Sequence, residues 1–176
     1  MGTSIKDPLD YIPKIFPNVR ASGFKQTSEM TPSYNCIAYA AGDTNRWWEP
    51  LALNRFWPDS APQEMTIDAY VKAFESVGFQ VCDDSAVERG YQKIALYADA
   101  MNVPTHAARQ LPNGRWKSKL GKAHDIEHAI DGLQGQTYGH IVLFMKKPAV
   151  VAIATDRTPE ERVKARNKRK AQRRSK

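Results

Sequence analysis

The sequence predicts an α+β fold, with helices ahead of a mainly antiparallel sheet of four to five strands. Two observations point there. An apolar stripe at the helical period occupies residues 66–77, and several short apolar runs of strand length follow it, two of them joined by the turn "PNG". Helices precede and follow the strands rather than alternating with them, which argues against a parallel βαβ sheet.

Taken in order, residues 1–30 carry prolines at positions 8, 13 and 17 and apolar residues without a period, and read as an arm lying on the domain. Thr31-Pro32-Ser33 is a helix-start signal and Gly42 a stop. The stretch "YNCIAYAA" between them predicts a helix of about two turns with Cys36 in its first turn. Residues 43–62 hold three of the four tryptophans and three prolines, the composition of a long aromatic loop. Ile67, Tyr70, Val71, Phe74 and Val77 then recur at helical spacing up to Gly78, a good residue just past a helix end. "FQVC" at 79–82, "YQKIALYAD" at 91–99, "PTHAARQL" at 104–111, "RWKSKLG" at 115–121 and "HIVLFMKKP" at 140–148 predict strands, the middle two forming a hairpin around Pro112-Asn113-Gly114. "DIEHAIDGL" at 125–133 predicts a helix.

The 176 residues are 41% hydrophobic, enough for one domain with a core, assigned to residues 31–150. No run reaches the roughly 18–20 apolar residues of a membrane span. The start "MGTSIKDPLDYIPKIF" has early charges and prolines rather than a secretory apolar segment, so a cytoplasmic location is expected. Two cysteines, Cys36 and Cys82, make no disulfide framework and no Cys-x-x-Cys zinc pair. His124 and His128 would share a helix face but do not form a His-Glu-x-x-His motif, and surface or capping roles suit them better. No metal and no cofactor are expected.

The net charge of +7 divides unevenly. Residues 162–176 hold nine Lys/Arg and no acid, leaving 17 basic against 19 acidic residues in the rest of the chain. The basicity therefore belongs to a tail at 158–176. Thr158, Pro159 and Glu161 supply helix-start signals, but the following run has almost no apolar face, so an exposed helix or frayed tail is expected. Arg162, Lys164, Arg166, Lys168, Arg169, Lys170, Arg173 and Arg174 could contact nucleic acid or another acidic partner by counterion release.

Cys36 is the candidate nucleophile. Unpaired N–H groups and the positive end of a helix dipole favour a thiolate there. A thiol nucleophile needs a base, and His106, beside the small Ala107 and Ala108, is the best placed. A third polar group orients such a base. A three-residue turn at 112–114 pairs Ala108 with Ser118 and turns Ser118 to the side of His106; Asp125 is the other candidate, and the choice stays open. Asn35 could serve an oxyanion site. Trp47, Trp48 and Trp57 either pack the loop or wall a substrate groove.

The order "NCIAYAAGD", "WW", "WP", "THAARQ", "GRWKSKLG", "DIEH" resembles papain-like folds, most closely the NlpC-type cell-wall peptidases. It is also similar to a widespread bacterial and fungal domain family over roughly residues 30–147. The resemblance implies Cys36 as nucleophile and His106 as base, acting on a peptide or another amide- or ester-containing substrate. Ser118 stands where NlpC-type enzymes carry His, Asn or Gln. The expected activity is that of a cysteine hydrolase of the peptidase, amidase, deamidase or acyl-transferase kind. The alternative is a non-catalytic binding domain tethered to nucleic acid by the basic tail.

Overall fold

A sheet with central strands buried on both faces organises the protein. The computed structural model describes residues 9–149; the basic tail, with its expected helix, lies outside the described residues. Four short helices, α1 (Ile12–Ile15), α2 (Val19–Ser22), α3 (Cys36–Ala41) and α4 (Ile67–Glu75), accompany seven strands. These are β1 (Phe24–Gln26), β2 (Gln80–Cys82), β3 (Tyr91–Ala98), β4 (Pro104–Gln110), β5 (Trp116–Lys119), β6 (Asp125–His128) and β7 (His140–Pro148). They form one sheet in the order β1-β6-β5-β4-β3-β7-β2, and every neighbouring pair is antiparallel. The α+β class stands.

The sheet exceeds the expected four to five strands because two were missed. β1 lies within the arm, too short for a period to show. β6 occupies the start of the predicted helix at 125–133. There "LGKAH" closes a tight hairpin: Gly121 takes φ +56°, and the Leu120 N–H donates to the His124 carbonyl at 3.0 Å. Asp125–His128 then pairs with β5 on one side and β1 on the other. Two ladders outweigh the modest helix propensity of four residues.

Each face of the sheet carries its own layer. Ile94, Leu96, Ala107 and Met145 face α3, α4 and the aromatic loop. Ala95, Tyr97, Ala108, Trp116 and Ile126 face Ile12, Phe16 and Val19 of the N-terminal segment. The arm thus lies on the domain as short elements, α1, α2 and β1, that form a second packing layer. All six residues of α3 are buried. Its alanines bring the helix backbone close to β4, where a larger side chain would hold it off. Thr66 caps α4 by accepting from the Ala69 N–H at 3.3 Å, and the apolar stripe of α4 packs Tyr70 and Phe74 inward. Among the described residues no helix is long and apolar enough to cross a membrane.

Two glycines with positive φ separate strain from collision. Gly42, at φ +97°, ends α3 with open space where a Cβ would go. Gly139, at φ +73°, would drive a Cβ into the Ala98 carbonyl. Gly42→Ala should therefore cost about 1–2 kcal/mol, the left-handed backbone penalty alone. Gly139→Ala should cost more, about 3 kcal/mol or above, because the backbone of β3 must also move. Urea unfolding of both variants checks the ranking; equal losses would contradict it.

Candidate functional site

The site begins with strand β4. Its residues alternate between faces, so Ala107 turns toward α3 while His106 turns to the other side. The register agrees: Leu96 opposes Ala107, and Tyr97 opposes His106. His106 packs against Tyr97, with ring centroids 5.3 Å apart, and stacks on Tyr138 at 4.0 Å. Cys36 belongs to the opposite layer, with Ala107 and Leu96. Among the described residues no hydrogen bond joins the thiol to the imidazole; Nδ1 of His106 is buried with no partner. The single-residue step along β4 thus turns His106 to the face of Tyr97, while Tyr138, stacked on His106, has its hydroxyl raised by burial and then by the charge of the Cys36 thiol.

The thiol also differs from the expectation. Cys36 does open α3, but it is only 8% exposed. Burial raises its thiol from an ordinary 9.0 to about 11, against the opposing pull of the Ala107, Ile37 and Cys36 backbone N–H groups. That rise corresponds to about 3 kcal/mol against the thiolate. A helix end supplies roughly 0.3–2 kcal/mol, and α3 has only six residues. Burial wins.

Asn35 is the N-cap of α3, two residues past the predicted start at Thr31–Ser33. Its Oδ1 accepts from the Ala38 and Trp48 backbone N–H groups at 3.1 and 3.2 Å, and its Nδ2 donates to the Trp48 carbonyl at 2.7 Å. Those bonds engage the side chain in tying helix to loop. Trp48 and Trp57 are 2% and 7% exposed. Their indole N–H groups donate to Asp43 Oδ2 and to the Pro62 carbonyl at 3.0 and 2.9 Å. Trp47 borders a surface depression of about 400 Å³ with Glu49, Leu51, Ala52 and Arg55, and Trp57 borders one of about 410 Å³ that shares Glu49 and Arg55 and adds Phe56 and Asp59.

The two candidates for orienting His106 divide between faces. Asp125 turns toward α3. It accepts from the Tyr34 hydroxyl at 3.0 Å and lies 3.8 Å from Lys117 Nζ and 4.0 Å from Lys119 Nζ. It cannot reach His106. Burial and the bond to Asp125 raise the Tyr34 hydroxyl to about 12. Burial pulls the Lys119 ammonium down, against the pull of Asp125. Ser118 lies on the face of His106, and its Oγ is 2.9 Å from His106 Nε2 and 2.8 Å from His128 Nε2.

His128 is the residue the sequence reading missed. Read as part of a helix, it was paired with His124 and given a surface or capping role. In a strand, His128 falls two residues after the inward Ile126 and is fully buried, while His124 Nδ1 meets the Tyr11 hydroxyl at 3.2 Å. The alternation of Ile126 and His128 was the available signal.

The hydrogen-bond pattern assigns the protons of this chain. The Ala129 carbonyl can only accept, so His128 Nδ1, 2.6 Å away, carries a proton. Burial holds the His128 imidazole at about 4, so the ring is neutral and its Nε2 accepts. Ser118 must then donate its hydroxyl proton to His128 and accept from His106 Nε2–H. Burial and the neighbouring His128 hold His106 well below 6.5, so it too is neutral. Its Nδ1 presents a lone pair. The arrangement is a one-way chain from β4 through β5 to β6, sealed from solvent.

The chain belongs to the family described as a domain of unknown function (DUF7689), which it matches over residues 25–146. No curated protein and no solved structure matches it. The match runs from β1 into β7 and leaves out α1, α2 and the basic tail.

Two outcomes follow from this geometry. The unfolded chain takes up protons on both imidazoles below about pH 6.5, while the folded chain resists until near pH 4 at His128. Stability should therefore fall as pH drops from about 6.5 toward 4, and nitrogen NMR should show both rings neutral at pH 5.5, His128 as the Nδ1–H tautomer. A ring titrating near 6.5 would contradict the assignment. Ser118→Ala strands two buried nitrogens, at roughly 1–3 kcal/mol each, and should lower unfolding free energy by roughly 2–6 kcal/mol.

Proposed function

We propose that the domain is a binding module, with the basic tail as its contact to nucleic acid, rather than a hydrolase working through Cys36 and His106. The observation that supports this reading is that the thiol packs in one core cluster while the imidazole packs against Tyr97 of the other, with no hydrogen bond between them among the described residues. A papain-like mechanism requires both on one face in an open cleft, with the proton passing directly between them. Here a buried thiol with a raised pKa and a buried imidazole with a lowered one pack against different clusters, which favours binding over nucleophilic catalysis.

The sequence supports the binding side. Nine Lys/Arg within residues 162–176 face no acid in that stretch. Such a segment neutralises phosphates one by one and binds without base preference. The remainder of the chain, with more acids than bases, offers no overall basic face to compete with it.

Two measurements test the reading. Removing residues 158–176 should abolish retention of single-stranded RNA, and retention by the intact chain should weaken steeply with salt, log K changing by roughly 0.7 per phosphate neutralised for each tenfold step. Retention unchanged on truncation would remove the tail from the reading. In the folded protein, iodoacetamide should alkylate the half-buried Cys82 well before Cys36. Fast, selective alkylation of Cys36 in mild acid would restore the nucleophile and overturn the proposal.

A further inference from the structure

The face of the sheet that carries α3 holds a pair of cations whose one carboxylate partner, Asp125, lies 3.8 Å from Lys117. Arg109 on β4 and Lys117 on β5 are direct cross-strand partners. Like charges directly opposite one another destabilise a sheet. Tyr39 of α3 offsets part of that cost. The Arg109 guanidinium lies over its ring, 4.4 Å from the centroid, and donates one N–H to its hydroxyl at 3.0 Å. The Lys117 ammonium lies 5.4 Å from the same ring. Arg109 makes no ion pair among the described residues, and its remaining N–H donors have no hydrogen-bond acceptor there. Lys117 makes no hydrogen bond among the described residues; Asp125, at 3.8 Å, already accepts from Tyr34. Glu127, the other cross-strand partner of Lys117, is engaged at 2.9 Å by Arg115. A third cation, Lys147, stands close enough to Arg109 that the guanidinium, after burial, pushes its ammonium down; its Nζ reaches the Ala41 and Val77 carbonyls at the ends of α3 and α4.

Two adjacent cations, aligned by a tyrosine and left with unused donors, suit a bound anion. A planar guanidinium fork beside a point-charge ammonium matches the oxygens of a phosphodiester. We propose that Arg109 and Lys117, held by Tyr39, form a phosphate-binding site that gives the nucleic acid retained by the tail a second, fixed contact on the folded domain. This rests on the binding reading above. The tail supplies contacts without register; a pair fixed on a sheet supplies position.

The test uses the full chain and single-stranded RNA. Arg109→Gln with Lys117→Gln should make the plot of log K against log salt shallower by about 0.7, the one phosphate that the pair neutralises. Affinity should fall while the tail stays intact. The charge-keeping pair Arg109→Lys with Lys117→Arg should restore most of the slope. NMR of the wild-type chain gives an answer independent of how the variants fold: adding RNA should shift the Arg109 Nε–H signal and the amides of Tyr39 and Lys117. A wild-type chain that binds RNA with those signals unmoved, or a folded glutamine pair with an unchanged slope, overturns this site and leaves the tail reading standing. A wild-type chain that retains no RNA overturns both.

Discussion

Strand β4 allows one side chain per face at each step, and that alternation decides which chemical groups the domain can bring together. Ala107 and Ala108, adjacent in sequence, sit on opposite sides and are both fully buried. Their small size lets α3 approach from one side and the N-terminal layer from the other. A strand buried on both faces cannot place His106 with the residues of α3 unless a bulge intervenes. The irregularity recorded in this ladder lies at Tyr97/Ala98, beyond His106. The register at Leu96–Ala107 and Tyr97–His106 therefore turns the imidazole to the face of Tyr97.

The two layers treat polar groups differently. On the N-terminal side, His106, Ser118 and His128 are neutral and satisfy one another, apart from one ring nitrogen. On the α3 side the buried groups are charged: Lys119 and Asp125 lie 4.0 Å apart, with Tyr34 completing the cluster. Lys119 donates to the Ala123 carbonyl and stands 5.3 Å from the Tyr34 ring, so its ammonium is held by a hydrogen bond and a π face as well as by a carboxylate. Buried ion pairs of this kind are expensive to break from one side, at about 3–5 kcal/mol, but add little net stability when intact. Their effect here is to fix β5 and β6 against Tyr34 at the approach to α3, so that the helix start has one position.

Much of this was legible in the sequence, and the failures share a cause. The helix at Ile67–Glu75 was visible because five apolar residues kept one period across three turns. The register that turns Ser118 toward His106 was visible because a three-residue turn leaves little freedom in a hairpin. The strand at Asp125–His128 was not, since four residues of mixed polarity carry no decisive period and their pairing partners lie in other segments. That error moved Asp125 to a helix start and hid His128. The thiol was misread for a different reason: its place at a helix start is local, while the layer that buries it comes from the loop at 43–62 and from α4. Burial of a single group depends on the whole fold, and no pattern near Cys36 announces it.

The histidine chain acquires a structural meaning from the ladder it accompanies. Backbone pairing between β4 and β5 covers only Arg109–Lys117 and Gln110–Trp116, although β4 continues back to Pro104 and β5 forward to Lys119. Past those two pairs the strands are no longer laddered. The His106–Ser118 bond spans the two strands just there, and Ser118–His128 extends the connection to β6. Three polar side chains in an apolar layer thus continue, by side-chain bonds, an attachment that the backbone gives up. An apolar trio of the same volume would fill the space but would let β4 and β5 slide or separate at that end. The one-way order of the protons makes the link specific, because each member has a partner of the opposite role and exchanging any one of them leaves a donor facing a donor or a lone pair facing a lone pair. The catalytic appearance of His106 beside Ser118 follows from the same geometry: a histidine oriented by a hydroxyl can serve to hold two strands together where their ladder ends.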